Sequence, residues 1–396
     1  MRFLRRISTR RLLALCAVTV AAAVGLTAIA MATSGGGPKP PPKPLANAVH
    51  DALSAPAVPG ISARIEFTNH LIDAASIEGS DPLLSGASGR LWASPEGGGK
   101  LRLELQAQGG GGDSQVLVSD HHFEIYDGGS ETVYKGTLPE KEGKDTGAKE
   151  QGSAPLGEVE EAIAKAEEHA ELSGAIPSDV AGQATYTLHV APKHDGGLLG
   201  GAEIAWDATH GTPLRAAIYA SGDSSPVLQL EATDVAFEAV SSSVFEISPP
   251  AGAKVVDLTP QTEAGGEGGE PSPATGAEAV QKQLDFQLVA PDSLAGLPRG
   301  EIRGIEVDGH SAALATYGKG LGGIAVIESA AQPGEAGGGS TSSEGLSLPK
   351  VSINGVQGQE LDTALGTVIQ FSRGGVDYIV IGSVPPAAAE AAARAL

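Results

Sequence analysis

Residues 184–258 read ATYTLHVAPKHDGGLLGGAEIAWDATHGTPLRAAIYASGDSSPVLQLEATDVAFEAVSSSVFEISPPAGAKVVDL, and the spacing within them decides the fold. Tyr186, Leu188 and Val190 alternate with Thr185, Thr187 and His189, and Ala202, Ile204 and Trp206 alternate with polar or small neighbours. That is the period of a strand with one buried face. The turn DATHGTP (207–213) and Gly/Ser-rich loops separate this pair from LRAAIYA (214–220) and PVLQLEATDVAF (226–237). Short connections between such strands predict an antiparallel meander.

Outward toward the N-terminus the same pattern returns. ISARIEF (61–67) alternates cleanly, and 89–93, 101–107, 115–119 and 123–126 follow as short strands between SPEGGGK, GGGGD and DHH. Leu45, Val49, Ala52 and Leu53 have helical spacing before Pro56 and Pro59. The segment PLGEVEEAIAKAEEHAELSG (155–174) is the clearest helix, with Pro155 at its start, Gly174 at its end, and Leu156, Val159, Ile163, Ala166 and Ala170 on one face.

A strand ending in Trp206-Asp207, the turn Thr209-His-Gly-Thr-Pro213, two further strands and the closing Phe245-Glu-Ile-Ser-Pro-Pro-Ala-Gly-Ala-Lys-Val255 resemble the second half of a LolA-type domain. Residues 45–258 carry the resemblance, including a short helix at the start. At the hairpin between 115–119 and 123–126, Asp120-His121-His122 stands where that family usually has Asp-Gly. The resemblance implies an α+β fold: a deeply curved, incompletely closed antiparallel sheet, or half-barrel, whose apolar concave side is covered by helices. It further implies a lipoprotein carrier or an RseB-like regulator. The helix of 155–174 would then be a lid, with Glu158, Glu160, Glu161, Glu167, Glu168 and Glu171 toward water.

Residues 259–278 (TPQTEAGGEGGEPSPATGAE) show no apolar periodicity and read as a flexible linker. Beyond them 284–288, the segment PDSLAGLP, 304–307, 312–317, 323–328, 351–357, 367–372 and 378–382 read as short strands, and AAAEAAARAL (387–396) as a terminal helix. The segment 279–396 resembles a small α+β module found in bacterial membrane-anchored and anti-sigma-associated proteins, with 332–345 as an excursion from it.

The first eleven residues hold five arginines and precede an uncharged run of 21, residues 12–32. A helix of that length is about 31 Å long and spans a bilayer core. A signal anchor with its arginine end in the cytoplasm fits the length. A cleaved signal peptide fits the small residues Ala28, Ala30 and Ala32 within residues 1–33. A lipobox ending at Cys16 is the third reading, against which stand Leu15 and the early position of the cysteine. Each places the bulk of the chain outside the cytoplasm, anchored or secreted. SGGGPKPPPKP (34–44) follows as a semi-rigid, proline-rich spacer.

Composition narrows the function. The net charge is −22, and seven of the 26 basic residues lie in the first 44 positions, which contain no acid. The remainder is therefore still more acidic and opposes nucleic-acid binding. Only 4% of residues are aromatic, which leaves few stacking platforms for bases. The single cysteine, Cys16, allows neither a disulfide nor a thiolate metal site in the remainder.

Motifs that imitate catalytic sites fail on context. Gly318-Lys-Gly-Leu-Gly-Gly323 has the dinucleotide spacing but lies between two strands and opens no helix, so it reads as a hairpin turn. Gly97-Gly-Gly-Lys100 lacks the Ser/Thr that would hold magnesium. His121 and His122, being adjacent on a strand, point to opposite faces and do not share an ion. No nucleophile elbow, zinc-helix motif or cofactor fingerprint occurs, and a non-catalytic binding module with no cofactor or metal is expected. The expected ligand is a lipid, acyl chain or lipoprotein, and the alternative partner is a membrane regulatory protein. The expected cavity wall comprises Ile65, Phe67, Leu91, Leu103, Leu105, Tyr186, Leu188, Ile204, Trp206, Leu214 and Ile218, with Val159 and Ile163 on the lid.

Overall fold

The computed structural model describes residues 37–72, 86–95, 99–107, 113–119, 121–137, 155–193, 196–246, 250, 252–257, 274–307, 310–331 and 348–396. They form two sheets. The first has 13 strands: β1 (Ile61–Asn69), β2 (Ala87–Ser94), β3 (Lys100–Ala107), β4 (Ser114–Ser119), β5 (His122–Asp127), β6 (Thr132–Thr137), β7 (Ala170–Leu172), β8 (Ile176–Val180), β9 (Gln183–Pro192), β10 (Leu199–Asp207), β11 (Pro213–Ala220), β12 (Pro226–Ala236) and β13 (Lys254–Asp257).

Their order is β13-β6-β5-β4-β3-β2-β1-β12-β11-β10-β9-β7, with β8 also pairing β9. Two local meanders, β1 to β6 and β9 to β12, are thus joined along a single seam where β1 pairs β12 antiparallel. The sheet curls into a half-barrel, an α+β fold with its helices outside the strand order. One pairing departs from the expected all-antiparallel sheet: β13 runs parallel to β6. The chain reaches that far edge only after leaving β12 at the seam, so no hairpin forces the antiparallel direction. At Gly89 a Cβ would lie 1.9 Å from the Glu104 carbonyl oxygen, so glycine is required where β2 and β3 approach closely.

Helix α1 (Leu45–Leu53) forms as its spacing predicts and ends before the prolines. Helix α2 (Leu156–Glu167) is shorter than the sequence suggests. Ala170, expected on the apolar face of the helix, instead lies in β7, where Ala170 and Leu172 pair with Pro192 and Val190 of β9. The ladder is closed at its two ends by the Lys193 N–H donating to the His169 carbonyl at 3.2 Å and the Ser173 N–H donating to the His189 carbonyl at 2.6 Å.

The second sheet has eight strands in the order β14-β15-β16-β17-β21-β20-β19-β18. They are β14 (Ser293–Leu294), β15 (Leu297–Val307), β16 (His310–Tyr317), β17 (Ile324–Ala330), β18 (Lys350–Ile353), β19 (Val356–Thr363), β20 (Gly366–Arg373) and β21 (Val376–Gly382). Helices α3 (Ala277–Gln281) and α4 (Pro386–Ala395) pack on one face, over a core that includes Leu294, Val326, Ile353, Ile369, Val380 and Ala392. Residues 351–357, expected as one strand, are split by a turn at Asn354-Gly355, with φ of 50° and 90°, the positive values a tight two-residue hairpin needs. Residues 284–288, also expected as a strand, make no ladder. The Gln281 side chain donates to the Phe286 carbonyl at 2.7 Å and accepts from the Leu288 N–H at 2.9 Å, taking the place of a partner strand.

Among the described residues the two sheets meet in two places. Leu71 and Ile72 pack on Leu348 and Leu361, with the Ala364 N–H donating to the Leu71 carbonyl at 2.9 Å. The Leu198 N–H donates to the Ser383 carbonyl at 3.1 Å. Residues 73–85, 138–154, 258–273 and 332–347, which include most of the expected linkers, lie outside the described residues.

Candidate functional site: the apolar face of the half-barrel

Register places the expected wall residues. Paired residues in neighbouring strands lie on the same side of a sheet. Ala63, Leu91, Leu103, Val116, Ile125, Tyr134 and Val256 form one row across β1, β2, β3, β4, β5, β6 and β13. Ile65 and Leu105 lie beside it, flanking Gly89. This half is a closed core: Ile65, Leu103 and Leu105 are buried, with Phe67 and Leu91 packed at its margin.

The other half is more open. Phe67, Leu230, Ala216, Ile204 and Leu188 form a row across β1, β12, β11, β10 and β9, and every one is only half-buried. The next row, Leu228, Ile218, Ala202 and Val190, is half-buried as well. Helix α1 covers one end of this surface, where Ala48 packs on Tyr186 and Trp206 and where Leu188 and Ile204 join from the side. The Tyr186 and Trp206 rings lie 6.1 Å apart and tilted. Trp206 is 5% exposed, and its indole N–H has no hydrogen-bond acceptor among the described residues.

Leu214 is not part of this surface. The β10–β11 register shifts between Ala205 and Trp206, and Leu214 turns into a separate cluster with Val180, Ala205 and Ala232. One extra residue at a bulge moves a side chain to the other face, which an alternation rule cannot anticipate. Val159 is buried and Ile163 half-buried, but α2 packs against α1 and the edge strand β7, and α1 is the helix that packs on Tyr186 and Trp206. Ala166 is exposed.

The opposite face carries charge that sequence reasoning did not single out. Glu203, 2% exposed, accepts from Arg215 and, at 3.1 Å, from the Tyr219 hydroxyl. Arg215 also lies 3.5 Å from Glu231, which accepts from Gln229 at 2.7 Å. Burial pushes the Glu203 and Glu231 carboxyls up against the opposing pull of Arg215, and pushes the Tyr219 hydroxyl up as well. Burial and the Arg215 charge hold His189 below its ordinary value. The signal was present in the sequence, since Glu203 and Arg215 occupy the polar parity of strands whose other parity is apolar. At the turn after β10, Asp207 accepts from the His210 N–H at 2.6 Å and from the His210 ring at 2.7 Å, while that ring lies 4.1 Å from Phe237.

His121 has a φ of 63° and turns the chain into β5, and both His121 and His122 are exposed. Among the described residues no three His, Cys, Asp or Glu side chains are grouped to hold a metal. Gly318 to Gly323 form the hairpin turn between β16 and β17, with Gly318 and Gly320 at positive φ. Among the described residues no helix is long and apolar enough to cross a membrane; the run 12–32 lies outside them.

No family model matches the chain, and no curated protein matches it. Among solved structures it is similar to the MucA/MucB complex from Pseudomonas aeruginosa, with 16% identity, 88% of this chain and 95% of that chain covered, and a TM-score of 0.42. It is also similar to a putative outer membrane lipoprotein-sorting protein domain from Vibrio parahaemolyticus, with 13% identity, 51% and 96% covered, and a TM-score of 0.24. A LolA superfamily protein from Nitrosomonas europaea matches at 9% identity over 52% and 98% of the two chains, with a TM-score of 0.21. Similarity to MucB, which is RseB-like, and to LolA superfamily proteins is thus found, and it concerns the fold.

Proposed function

We propose that the chain is an extracytoplasmic binding protein, tethered to the cytoplasmic membrane through residues 12–32, whose half-barrel holds an acyl chain of a lipid or lipoprotein against its apolar face. The row Phe67, Leu230, Ala216, Ile204 and Leu188 carries this reading. Five adjacent strands present uncharged side chains on one side, each half-buried, over a width of about 19 Å at about 4.8 Å per strand spacing. Each methylene that a ligand buries there contributes about 0.8 kcal/mol. The unpartnered Trp206 N–H at the helix-covered end suits an ester or amide carbonyl at the head of such a chain.

The test uses the full chain in lipid vesicles containing a photoactivatable fatty-acyl probe. Crosslinks should saturate and map to peptides bearing Phe67, Leu188 and Ile204. Replacing Phe67 and Ile204 by Asp should reduce them at least tenfold while circular dichroism remains that of the parent. Crosslinking by the parent that never saturates, or that the two substitutions leave unchanged, refutes the reading.

A second reading, a regulator that binds a membrane protein, is favoured by the second sheet. The face opposite its core carries Leu314, Ile327 and Ile379 in one row, and Ile381, 40% exposed, in the next. Co-purification of a single membrane protein that Ile381→Glu releases would support it, and its absence from gently solubilised membranes would count against it.

A further inference from the structure

Residues 37–44, part of the stretch expected as a semi-rigid spacer, lie docked along the edge of the first sheet. Lys43 makes a bridge to Ala175, just before β8. At the other end of the segment Gly37 lies so close to Asp179 that a Cβ would meet its carboxylate at 2.1 Å. The segment therefore runs antiparallel alongside β8. Between these points the Tyr186 hydroxyl donates to the Pro41 carbonyl at 2.7 Å. The Lys43 ammonium sits 5.6 Å from the Tyr186 ring centre and 2.5 Å from Asp51 of α1, where the hydrogen bond to Asp51 raises the Lys43 pKa and lowers that of Asp51. Pro38, Pro40, Pro41, Pro42 and Pro44 stiffen the segment and leave few donors to extend the sheet further.

The end of the half-barrel at Gly37 is identifiable. Asp179 leads into the β8–β9 turn, the Ala208 N–H donates to the Ala184 carbonyl at 2.9 Å, and Gly211 packs against Ala52. Gly37, the turn at 208–212 and the last turn of α1 therefore share one end of the sheet. Leu53, 60% exposed, stands there. The apolar run ends at Ala32, and five Cα steps to Gly37 reach at most about 18 Å.

We propose that residues 37–44 are a docked strap that holds this end of the half-barrel, with Leu53 at its tip, against the lipid bilayer carrying residues 12–32, so that the apolar face takes its ligand directly from that bilayer. The inference rests on the membrane tether and the acyl ligand proposed above. Its short reach, its attachment at Tyr186 and the exposed leucine at the same end come from three separate observations. A flexible spacer would let the half-barrel tumble at any distance, whereas a strap fixed from Gly37 onward leaves only four residues, 33–36, between it and the apolar run.

The test uses full-length protein in vesicles, with Cys16→Ser as background and a bimane fluorophore on a cysteine at either Leu53 or Leu321. Leu321 is 55% exposed and lies in the turn between β16 and β17. Lipids with a nitroxide on the headgroup should quench the label at Leu53 severalfold more than the label at Leu321. Inserting twelve Gly/Ser residues between Gly36 and Gly37 should bring the two to the same level. Equal quenching in the parent, or quenching at Leu53 that the insertion does not reduce, overturns the strap. Recovery of the chain free of vesicles without residues 1–32 overturns it through the tether. Acyl-probe crosslinking in the same vesicles reports separately on the ligand, so crosslinking that persists without a quenching difference removes the strap alone.

Discussion

Glu328→Gln should make the second sheet more stable at alkaline pH and remove most of its pH dependence. Glu328 is 0% exposed and points into the core beside Val326. One carboxylate oxygen accepts from the Val289 N–H at 2.8 Å, and the other has no hydrogen-bond partner among the described residues. Tyr378 lies opposite it in β21, and Tyr317, with a buried and unpartnered hydroxyl, is in the same core. Burial raises both tyrosines, Tyr317 to about 12, with the Glu328 charge adding to each shift. Burial also pushes Glu328 from its ordinary 4.5 up to about 7, against the hydrogen bond from Val289.

The folded value lies above the unfolded one. The contribution to stability is therefore fully present below about pH 4.5 and is lost as pH rises through about 7. At about 1.4 kcal/mol per pH unit, the interval is worth about 3 kcal/mol. Glutamine keeps the acceptor for Val289 and carries no charge to desolvate. Both tryptophans lie in the first sheet, so their fluorescence does not report on this region. Hydrogen exchange of the β16 and β17 amides, corrected for intrinsic rates, measures it directly. The parent should lose protection between about pH 5 and pH 8 and the variant should not. Protection in the parent that is flat or rises over that range refutes the reasoning.

Further outcomes follow from the first sheet. Arg215→Ala leaves Glu203 buried without its cation and should cost about 3–5 kcal/mol in urea unfolding followed by tryptophan fluorescence. Arg215→Met combined with Glu203→Leu should recover most of that, and equal losses in the single and double variants would show that ion pairing is not the cause. Trp206→Ala empties the contact beneath Ala48 and should cost about 3–5 kcal/mol. Hydrogen exchange should show α1 losing protection before β3 and β4, and unchanged protection of α1 would contradict its packing on Trp206.

Strands with clean alternation were legible in the sequence: ISARIEF, TYTLHV and AEIAW pair as their spacing implies. Others were not, TVYKGT and IPSDV among them. TVYKGT (132–137) breaks alternation at Lys135 and Gly136, and IPSDV (176–180) contains Pro177 and Asp179; both are held by the neighbour they pair with. The reverse error occurred at 284–288, where LDFQL alternates but the Gln281 side chain captures its backbone. Most of the strand residues expected to line a cavity share a sheet face because parity survives folding, and Leu214 leaves that face because a bulge resets parity. The strap was illegible for a different reason. A proline-rich segment looks the same whether it is free or docked, and only the Tyr186 hydroxyl and Asp51, far from it in sequence or on another element, decide.

The seam between β1 and β12 sets when the half-barrel can exist. Ser62 to Asn69 pair with Leu228 to Ala236, so the two meanders meet only after some 160 intervening residues have been delivered. Local hairpins close early, while this pairing carries the largest loop-closure cost in the sheet and sets a slow step. Until it forms, β1 and β12 are both open edges of half-built sheets. Their outer parity is charged, with Arg64 opposite Asp234 and Glu66 opposite Glu231. Unlike charges favour the correct partner at one position, while the like charges of Glu66 and Glu231 at the next weaken it, with Arg215 beside Glu231 offsetting part of that repulsion. Of the thirteen described strands of this sheet only β13 follows β12 in the chain, so the seam closes when the sheet is otherwise almost complete.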